Sequence, residues 1–217
     1  MANSETARFD AVIFDNDGTL VDSEAITLSV LMEMALEHGA DPRDGDVERF
    51  QGAHLQVVFE EIGKRAGKPV PENFLDVFRE KQMALIHQGV DEMPGATELL
   101  THLSSIDMPM AVASNAPIAK MVPCLESANL SRFFGPDHLV SAYDVGVWKP
   151  APDIFLHAAR VLGVAPERCA VVEDSPTGLT AAHGSGGTVF AMDPTGAYQD
   201  DRGTVVLSTL AELIAHL

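Results

Sequence analysis

Six polar side chains stand at or just beyond the ends of short apolar runs in this sequence. Asp15 and Asp17 lie in FDNDGT, Ser114 closes MAVAS, Lys149 lies in WKPAPDIF, and Glu173 and Asp174 lie in VVEDSPTG. Four carboxylates gathered in one place repel one another unless a cation sits among them. Such hard oxygen ligands suit Mg²⁺, which keeps several waters and takes its other ligands from carboxylates and substrate phosphate. A phosphoryl group beside that ion needs an in-line nucleophile, donors for its spread charge and an acid for the leaving oxygen. Asp15 can be the nucleophile, because carboxylates form phosphoenzyme intermediates. Asp17, two residues on, can reach the far side of the phosphoryl group, protonate the leaving alkoxide and then activate water. Gly18 lets the backbone turn sharply there.

Each residue taken alone has a plainer reading. An Asp-x-Asp-Gly is usually a turn or part of a calcium loop. A single Thr19 or Ser114 is usually a cap or a local backbone hydrogen bond. A single Lys149 is usually a solvated charge, and Glu173-Asp174 is usually the acidic start of a helix. Only the joint arrangement singles out chemistry, so the elements that would bring these residues together decide the matter.

Those elements can be read from the pattern. Phe9–Asp15 is a short apolar run followed at once by NDGT, which predicts a buried strand ending in a tight turn. From Glu24 to Gln88 the apolar residues recur at helical spacing, as in Phe74, Val77, Phe78 and Leu85, with Lys81 at the edge of the stripe. This stretch predicts three or four helices and no strand. After Pro94-Gly95 the pattern alternates. Strands are expected at Met110–Ser114, Leu139–Ser141, Cys169–Glu173, Thr188–Ala191 and Val205–Leu207. Helices are expected at Ala96–Ser104, Ile118–Ala128, Asp153–Leu162 and Thr177–His183, with a further one at the end. Alternation of this kind implies an α/β fold, a doubly wound parallel sheet with helices on both faces. The division expected is a core of 1–22 and 90–217 with a helical cap of 23–89 inserted after strand one. In open parallel sheets ligands bind beyond the carboxyl ends of the strands, which is where all six side chains fall.

Composition narrows the partners. Fourteen basic residues against 32 acidic ones leave a net charge of −18, which should repel nucleic acid and anionic membranes. A small phosphorylated metabolite remains, and positive charge must then be concentrated locally. The two cysteines, Cys124 and Cys169, read as small core residues rather than a disulfide, in keeping with a reducing, cytoplasmic setting. Met1 to Arg8 has no apolar stretch of signal-peptide length, and no segment approaches the roughly 20 apolar residues of a membrane span. A monomer or weak dimer is expected.

The four motifs FDNDGTLVDSE, AVASN, WKPAPDIF and VVEDSPTG, in this order, resemble those of the haloacid dehalogenase superfamily over essentially the whole chain. The insertion after the first motif is similar to that superfamily's small helical cap. The resemblance implies a Rossmann-like core with Asp15 as nucleophile and Asp17 as general acid–base. Ser114 would bind phosphoryl oxygens, and Lys149 would neutralise the nucleophile and phosphoryl group. Mg²⁺ would be held by Asp174, Asp15 and the backbone carbonyl of Asp17, with Glu173 beside or behind Asp174. Asn115 and Ala116 lie where neighbouring phosphate contacts occur.

Within the superfamily, Asp17 argues against the dehalogenases, which need no acid for a halide. The cap resembles that of the beta-phosphoglucomutase-like subfamily. Thr27 and Leu55 stand where its mutases carry a cap histidine and a cap arginine, so a phosphosugar mutase is the alternative and a sugar-phosphate phosphatase the expectation. The stretches RFQGAHL, SNAPIAKM and SAYDVGVWKPAPDIFLHAA look like the bacterial 6-phosphogluconate phosphatase group. Arg49, Gln51, Gly52 and His54 in the cap, and Lys120 outside it, are candidates to contact the substrate; Gly52 reads equally well as a turn between helices. Lys64, Arg65 and Lys68 read as a solvated face. A receiver domain also pairs Mg²⁺ with a phospho-accepting aspartate, but carries the acceptor on a later strand and has no insertion after the first. A non-catalytic binding module would not need the full set of nucleophile, acid and lysine. Because Asp15, Asp17, Glu173 and Asp174 crowd one rim, phosphate release should stop on exhaustive chelation and return with Mg²⁺; release undiminished by chelation would refute the metal assignment.

Overall fold

The computed structural model describes residues 8–46, 50, 55–196, 198 and 202–217. The chain divides into two compact units, one taking in the chain up to Asp22 and from Val90 onward, the other running from Ser23 to Gly89. No helix among the described residues is long and apolar enough to cross a membrane.

The first unit is built on six parallel strands: β1 (Ala11–Phe14), β2 (Met110–Ser114), β3 (Leu139–Ser141), β4 (Cys169–Glu173), β5 (Thr188–Met192) and β6 (Val205–Leu207). Their order across the sheet is β3-β2-β1-β4-β5-β6. The central strands are continuous apolar runs, because a parallel sheet is covered by helices on both faces; every residue of β1, β2 and β4 is buried. Helices α7 (Asp153–Leu162) and α8 (Pro176–Ser185) cover one face. There Ile154, Phe155, Ala158 and Leu179 pack on Ile13, Ala111, Ala113 and Val171. The many alanines let helix backbones come close to the sheet. Helices α4 (Ala96–Ser105) and α5 (Ile118–Ser127) and a single turn, α6 (Ala142–Val145), complete the unit.

Strand order reverses between β1 and β4. Phe14 pairs with Val112 on one side and Val172 on the other, so β1, β2 and β4 end at nearly one level. The crevice at such a reversal is where this architecture binds ligands. The chain leaving β1 and the chain returning to the sheet are fastened together: Val21 bridges Glu92, and the N–H of Asp22 donates to Asp91 O at 2.9 Å. The closing helix is a 3₁₀ segment, Leu210–His216. Its apolar anchors, Leu210 and Leu213, are both fully buried. Their spacing of three puts them on one side of a 3₁₀ turn.

The second unit contains α1 (Glu24–His38), α2 (Leu55–Ala66) and α3 (Phe74–Ile86), and no strand among the described residues. Its core joins Val30, Leu31 and Met34 to Phe59, Ile62, Phe74 and Phe78. The Phe59 ring meets Phe74 edge-on at 5.0 Å between centroids and Phe78 at 6.0 Å, geometries that suit the aromatic quadrupole. Lys81, at the stripe's edge, reaches from α3 to Glu33 and Glu37 of α1 at 2.6 and 3.1 Å.

Arg65 does not belong to a solvated face. Its side chain is 5% exposed and grips Asp46 with two parallel hydrogen bonds of 2.7 and 2.8 Å, with a third to Glu61 at 2.8 Å. A guanidinium fork matched to a carboxylate is worth burying where a solvated lysine is not. Breaking such a pair leaves a buried charge without its partner. Asp46→Ala should therefore lower unfolding free energy by about 3 kcal/mol, and Lys64→Ala should leave it unchanged. Urea unfolding followed by circular dichroism measures both, and equal midpoints for the two variants would refute the role given to the pair.

Candidate active site

Asp15 follows directly on β1, and its N–H still donates to Val172 O of β4 at 2.9 Å. Its side chain enters a buried ion pair. Lys149 Nζ donates to Asp15 Oδ1 at 2.5 Å and to Glu173 Oε1 at 2.8 Å. Asp15 and Lys149 are each 6% exposed and Glu173 is 1% exposed. The ammonium also sits 4.7 Å from the centroid of the Phe155 ring, a further favourable contact for a desolvated cation.

Glu173 ends β4 and is held from below. Its Oε2 accepts hydrogen bonds from the N–H groups of Asp174 and Ser175, at 2.8 and 2.7 Å, and from the Ser175 hydroxyl at 3.0 Å. Ser175 is the N-cap of α8, accepting from Gly178 N–H at 3.0 Å, with Pro176 in the first turn. The helix start passes directly over the carboxylate: a Cβ on Gly178 would lie 1.7 Å from Glu173 Oε1. Only glycine fits at 178.

The turn after Asp15 is equally tight. Gly18 has φ +84°, and a Cβ there would lie 2.2 Å from Asp174 Oδ2, so both backbone angle and close approach require glycine. Its N–H donates to Val21 O at 2.8 Å, closing the turn. Thr19, fully buried, donates its hydroxyl to Asp174 Oδ1 at 2.9 Å, tying the first motif to the last.

Ser114 ends β2 and is 2% exposed. Its Oγ accepts from the Ala116 N–H at 3.0 Å, which curls the loop over the strand end. Asn115 Oδ1 accepts from the Lys149 N–H at 2.9 Å, so this side chain fastens the Ser114 loop to the lysine loop. Ser141, fully buried at the end of β3, donates to Ala116 O at 2.7 Å. Lys120 lies on α5, and its Nζ donates to Asp17 Oδ1 at 2.7 Å. Asn115, Lys149, Asp15, Glu173 and Asp174 are thus joined by hydrogen bonds, with Ser114 and Ala116 on the Asn115 loop and Asp17 on the turn after Asp15. Arg49, Gln51, Gly52 and His54 lie outside the described residues.

Ser141 and the Lys120–Asp17 bond were not read from the sequence. A serine before Ala-Tyr-Asp has the look of an ordinary N-cap, and Ser141 is one, accepting from Tyr143 N–H at 3.2 Å. Its second bond, to Ala116, depends on β3 lying beside β2, which no local signal carries.

The rim carries more negative charge than its lysines balance. Burial pushes the Asp15 carboxyl up to about 7; Lys149 pulls it down, while Glu173 and Asp17 add to the rise. Burial would lower the Lys149 ammonium, but Asp15 and Glu173 outweigh it and hold that group above its ordinary range. Asp15, Glu173 and Asp174 each offer a carboxylate oxygen within 4.8 Å of the others. Hard donors at that spacing fit a divalent cation, whose charge would reverse the rise at Asp15. Both Glu173 oxygens also accept hydrogen bonds, from Lys149 on one and from the Asp174 N–H, the Ser175 N–H and the Ser175 hydroxyl on the other.

Comparison with known proteins agrees with this geometry. Residues 9–186 match the family model for haloacid dehalogenase-like hydrolases. The 6-phosphogluconate phosphatase of Escherichia coli K12 is 35% identical over 187 residues, covering 85% of this chain and 82% of the relative. A haloacid dehalogenase family hydrolase from Deinococcus radiodurans R1, solved with bound phosphate and sodium, superposes with a TM-score of 0.78 at 32% identity, covering 96% of this chain and 95% of the other. A putative beta-phosphoglucomutase from Thermotoga maritima gives a TM-score of 0.78 at 26% identity, covering 95% and 97% of the two chains. With its motifs on one rim at the strand reversal of a parallel sheet, and with these relatives along nearly its whole length, the chain belongs to the haloacid dehalogenase-like hydrolases.

Proposed function

We propose that this protein is an Mg²⁺-dependent phosphatase that hydrolyses a small sugar phosphate, of the 6-phosphogluconate kind, through an aspartyl-phosphate intermediate. The observation that carries this reading is the buried Lys149 ammonium shared by Asp15 and Glu173, with Asp17, Asp174 and Ser114 on the same rim. A phosphoryl group brings added negative charge, and Lys149 with the Ser114 hydroxyl answers it. Asn115 and Ala116 shape the loop that presents Ser114 and border the phosphate.

In the first step a carboxylate oxygen of Asp15 bonds to phosphorus as the bond from phosphorus to the sugar oxygen breaks, and Asp17 gives its proton to that oxygen. In the second step Asp17 takes a proton from water as the water oxygen bonds to phosphorus. The bond from phosphorus to Asp15 breaks, and inorganic phosphate and free Asp15 result. Mg²⁺, held by Asp15, Asp174 and the backbone carbonyl of Asp17 with Glu173 behind them, would supply charge neutralisation at the phosphoryl group. The insertion 23–89 is the surface available to read the sugar, with Arg49, Gln51, Gly52 and His54 as its contacts. Cys124 and Cys169, buried and unpaired, suit a cytoplasmic enzyme.

A mutase is less well supported. Thr27, where a mutase carries its cap histidine, accepts from Gln82 Nε2 at 2.7 Å and donates to Ser23 O at 3.1 Å, as a packing residue of the helical unit does.

A screen of phosphate release across sugar phosphates, with and without Mg²⁺, tests the reading: release should be fastest with a phosphorylated sugar or sugar acid. No release from any phosphate ester would refute it. Two variants test the division of labour. Asp15→Asn should abolish acid-stable phosphoenzyme and turnover together. Asp17→Asn should slow turnover of a sugar phosphate by about 10²–10⁴-fold, and that of nitrophenyl phosphate much less, because nitrophenolate leaves without an acid. Wild-type turnover by Asp15→Asn on both substrates would show the nucleophile to be misassigned.

A further inference from the structure

The chain contains five lysines, and only Lys120 and Lys149 lie outside the 23–89 insertion. Both are bound to an aspartate of the first motif: Lys149 to Asp15 and Lys120 to Asp17. The second pairing has no explanation in the local structure of α5. Lys120 sits in the first turn of that helix, where the exposed N–H groups make a positive charge unfavourable. Its side chain is 18% exposed and that of Asp17 is 24% exposed, so neither is the freely solvated group of an ordinary surface pair. The contact also spans 103 positions in the chain, so it comes from the fold and not from helical spacing.

The base of α5 is anchored. The helix begins at Ile118, just after the Ser114 loop. That loop is held by the Ala116 N–H on Ser114 Oγ and by the Ser141 hydroxyl on Ala116 O. The Lys120 N–H donates to Pro117 O at 2.8 Å, which places the residue firmly in the opening turn. Lys120 therefore stands at a fixed distance from the phosphate-binding hydroxyl, and its stem reaches across to the first motif. Holding one oxygen of the Asp17 carboxylate restricts how the group can turn.

We propose that Lys120 is a positioning residue for Asp17, setting the carboxylate at the angle from which it hands a proton to the leaving oxygen. This inference rests on the assignment of Asp17 as the acid–base. The loop and helix after β2 then do two tasks. Ser114 meets the phosphoryl group, and Lys120, six residues on, aligns the acid against that same group. A shift in α5 moves both together. Lys120 consequently acts on the chemical step and not on the sugar.

A double-mutant cycle tests this with Lys120→Met, Asp17→Asn and the two combined, in the Mg²⁺-supplemented enzyme, on a sugar phosphate and on nitrophenyl phosphate. Lys120→Met should lower kcat on the sugar phosphate by about tenfold or more, with KM within about twofold of wild type. The loss on nitrophenyl phosphate should be smaller. In the Asp17→Asn background, Lys120→Met should cost nothing further. Lys120→Arg should recover most of the lost kcat, and the melting midpoints of both single variants should remain near that of wild type. A rise in KM at unchanged kcat would overturn the proposal and make Lys120 a substrate contact. Multiplying losses in the double variant would overturn it by showing that Lys120 acts apart from Asp17. If Lys120→Met is too unstable to measure, Lys120→Gln decides: kcat should fall more on the sugar phosphate than on nitrophenyl phosphate, and a loss equal on both, or no loss, would overturn the proposal. The underlying assignment fails separately, through undiminished turnover by Asp17→Asn alone.

Discussion

The rim of the core unit is arranged around one costly object, an ammonium buried between two buried carboxylates. Removing three charges from water is unfavourable by several kcal/mol each, and attraction among them offsets this only if every remaining lone pair and proton is satisfied. That requirement accounts for the surroundings of Lys149. Its protons go to Asp15 and Glu173, and its outer face rests against Phe155. Glu173, the most buried of the three, is supported by two N–H groups and a hydroxyl. Gly178 is glycine so that the helix start can lie on that carboxylate, and Gly18 is glycine so that the first motif can lie against Asp174. The steric demands at two distant positions follow from the placement of charge.

The sheet makes this placement possible. A strand ending at a reversal of strand order has no helix directly above its carboxyl end, since the connections leave to opposite sides. β1 and β4 end there side by side, and their next residues, Asp15 and Asp174, face a common space with the ends of β2 and β3 beyond. Burial of the strands on both faces holds these ends in place. Ser114 and Glu173 end buried strands and Asp15 follows one directly, its N–H still bonded to Val172 O of the neighbouring strand.

This explains what could be read in the sequence and what could not. Asp15, Ser114 and Glu173 were legible because each terminates an apolar run, and alternation of strand and helix puts such termini on one rim. The helical insertion was legible from its period. Bonds that depend on which strands are neighbours were not. Ser141 reaches Ala116 only because β3 lies beside β2, and Asn115 reaches Lys149 for the same reason. Arg65 was misread as solvated because its helix places lysine and arginine together; the deciding partner, Asp46, lies 19 positions away and has no helical relation to it.

The charge of the whole chain bears on the site as well. At −18, the protein's long-range field opposes an anionic substrate. That field is weakened by salt over about 10 Å, whereas pairs buried within the rim are screened far less. Binding a phosphate ester therefore draws on positive charge inside the screening distance, which Lys149 supplies beside three carboxylates whose spacing fits a divalent cation. The same field opposes polyanions such as nucleic acid along their whole length.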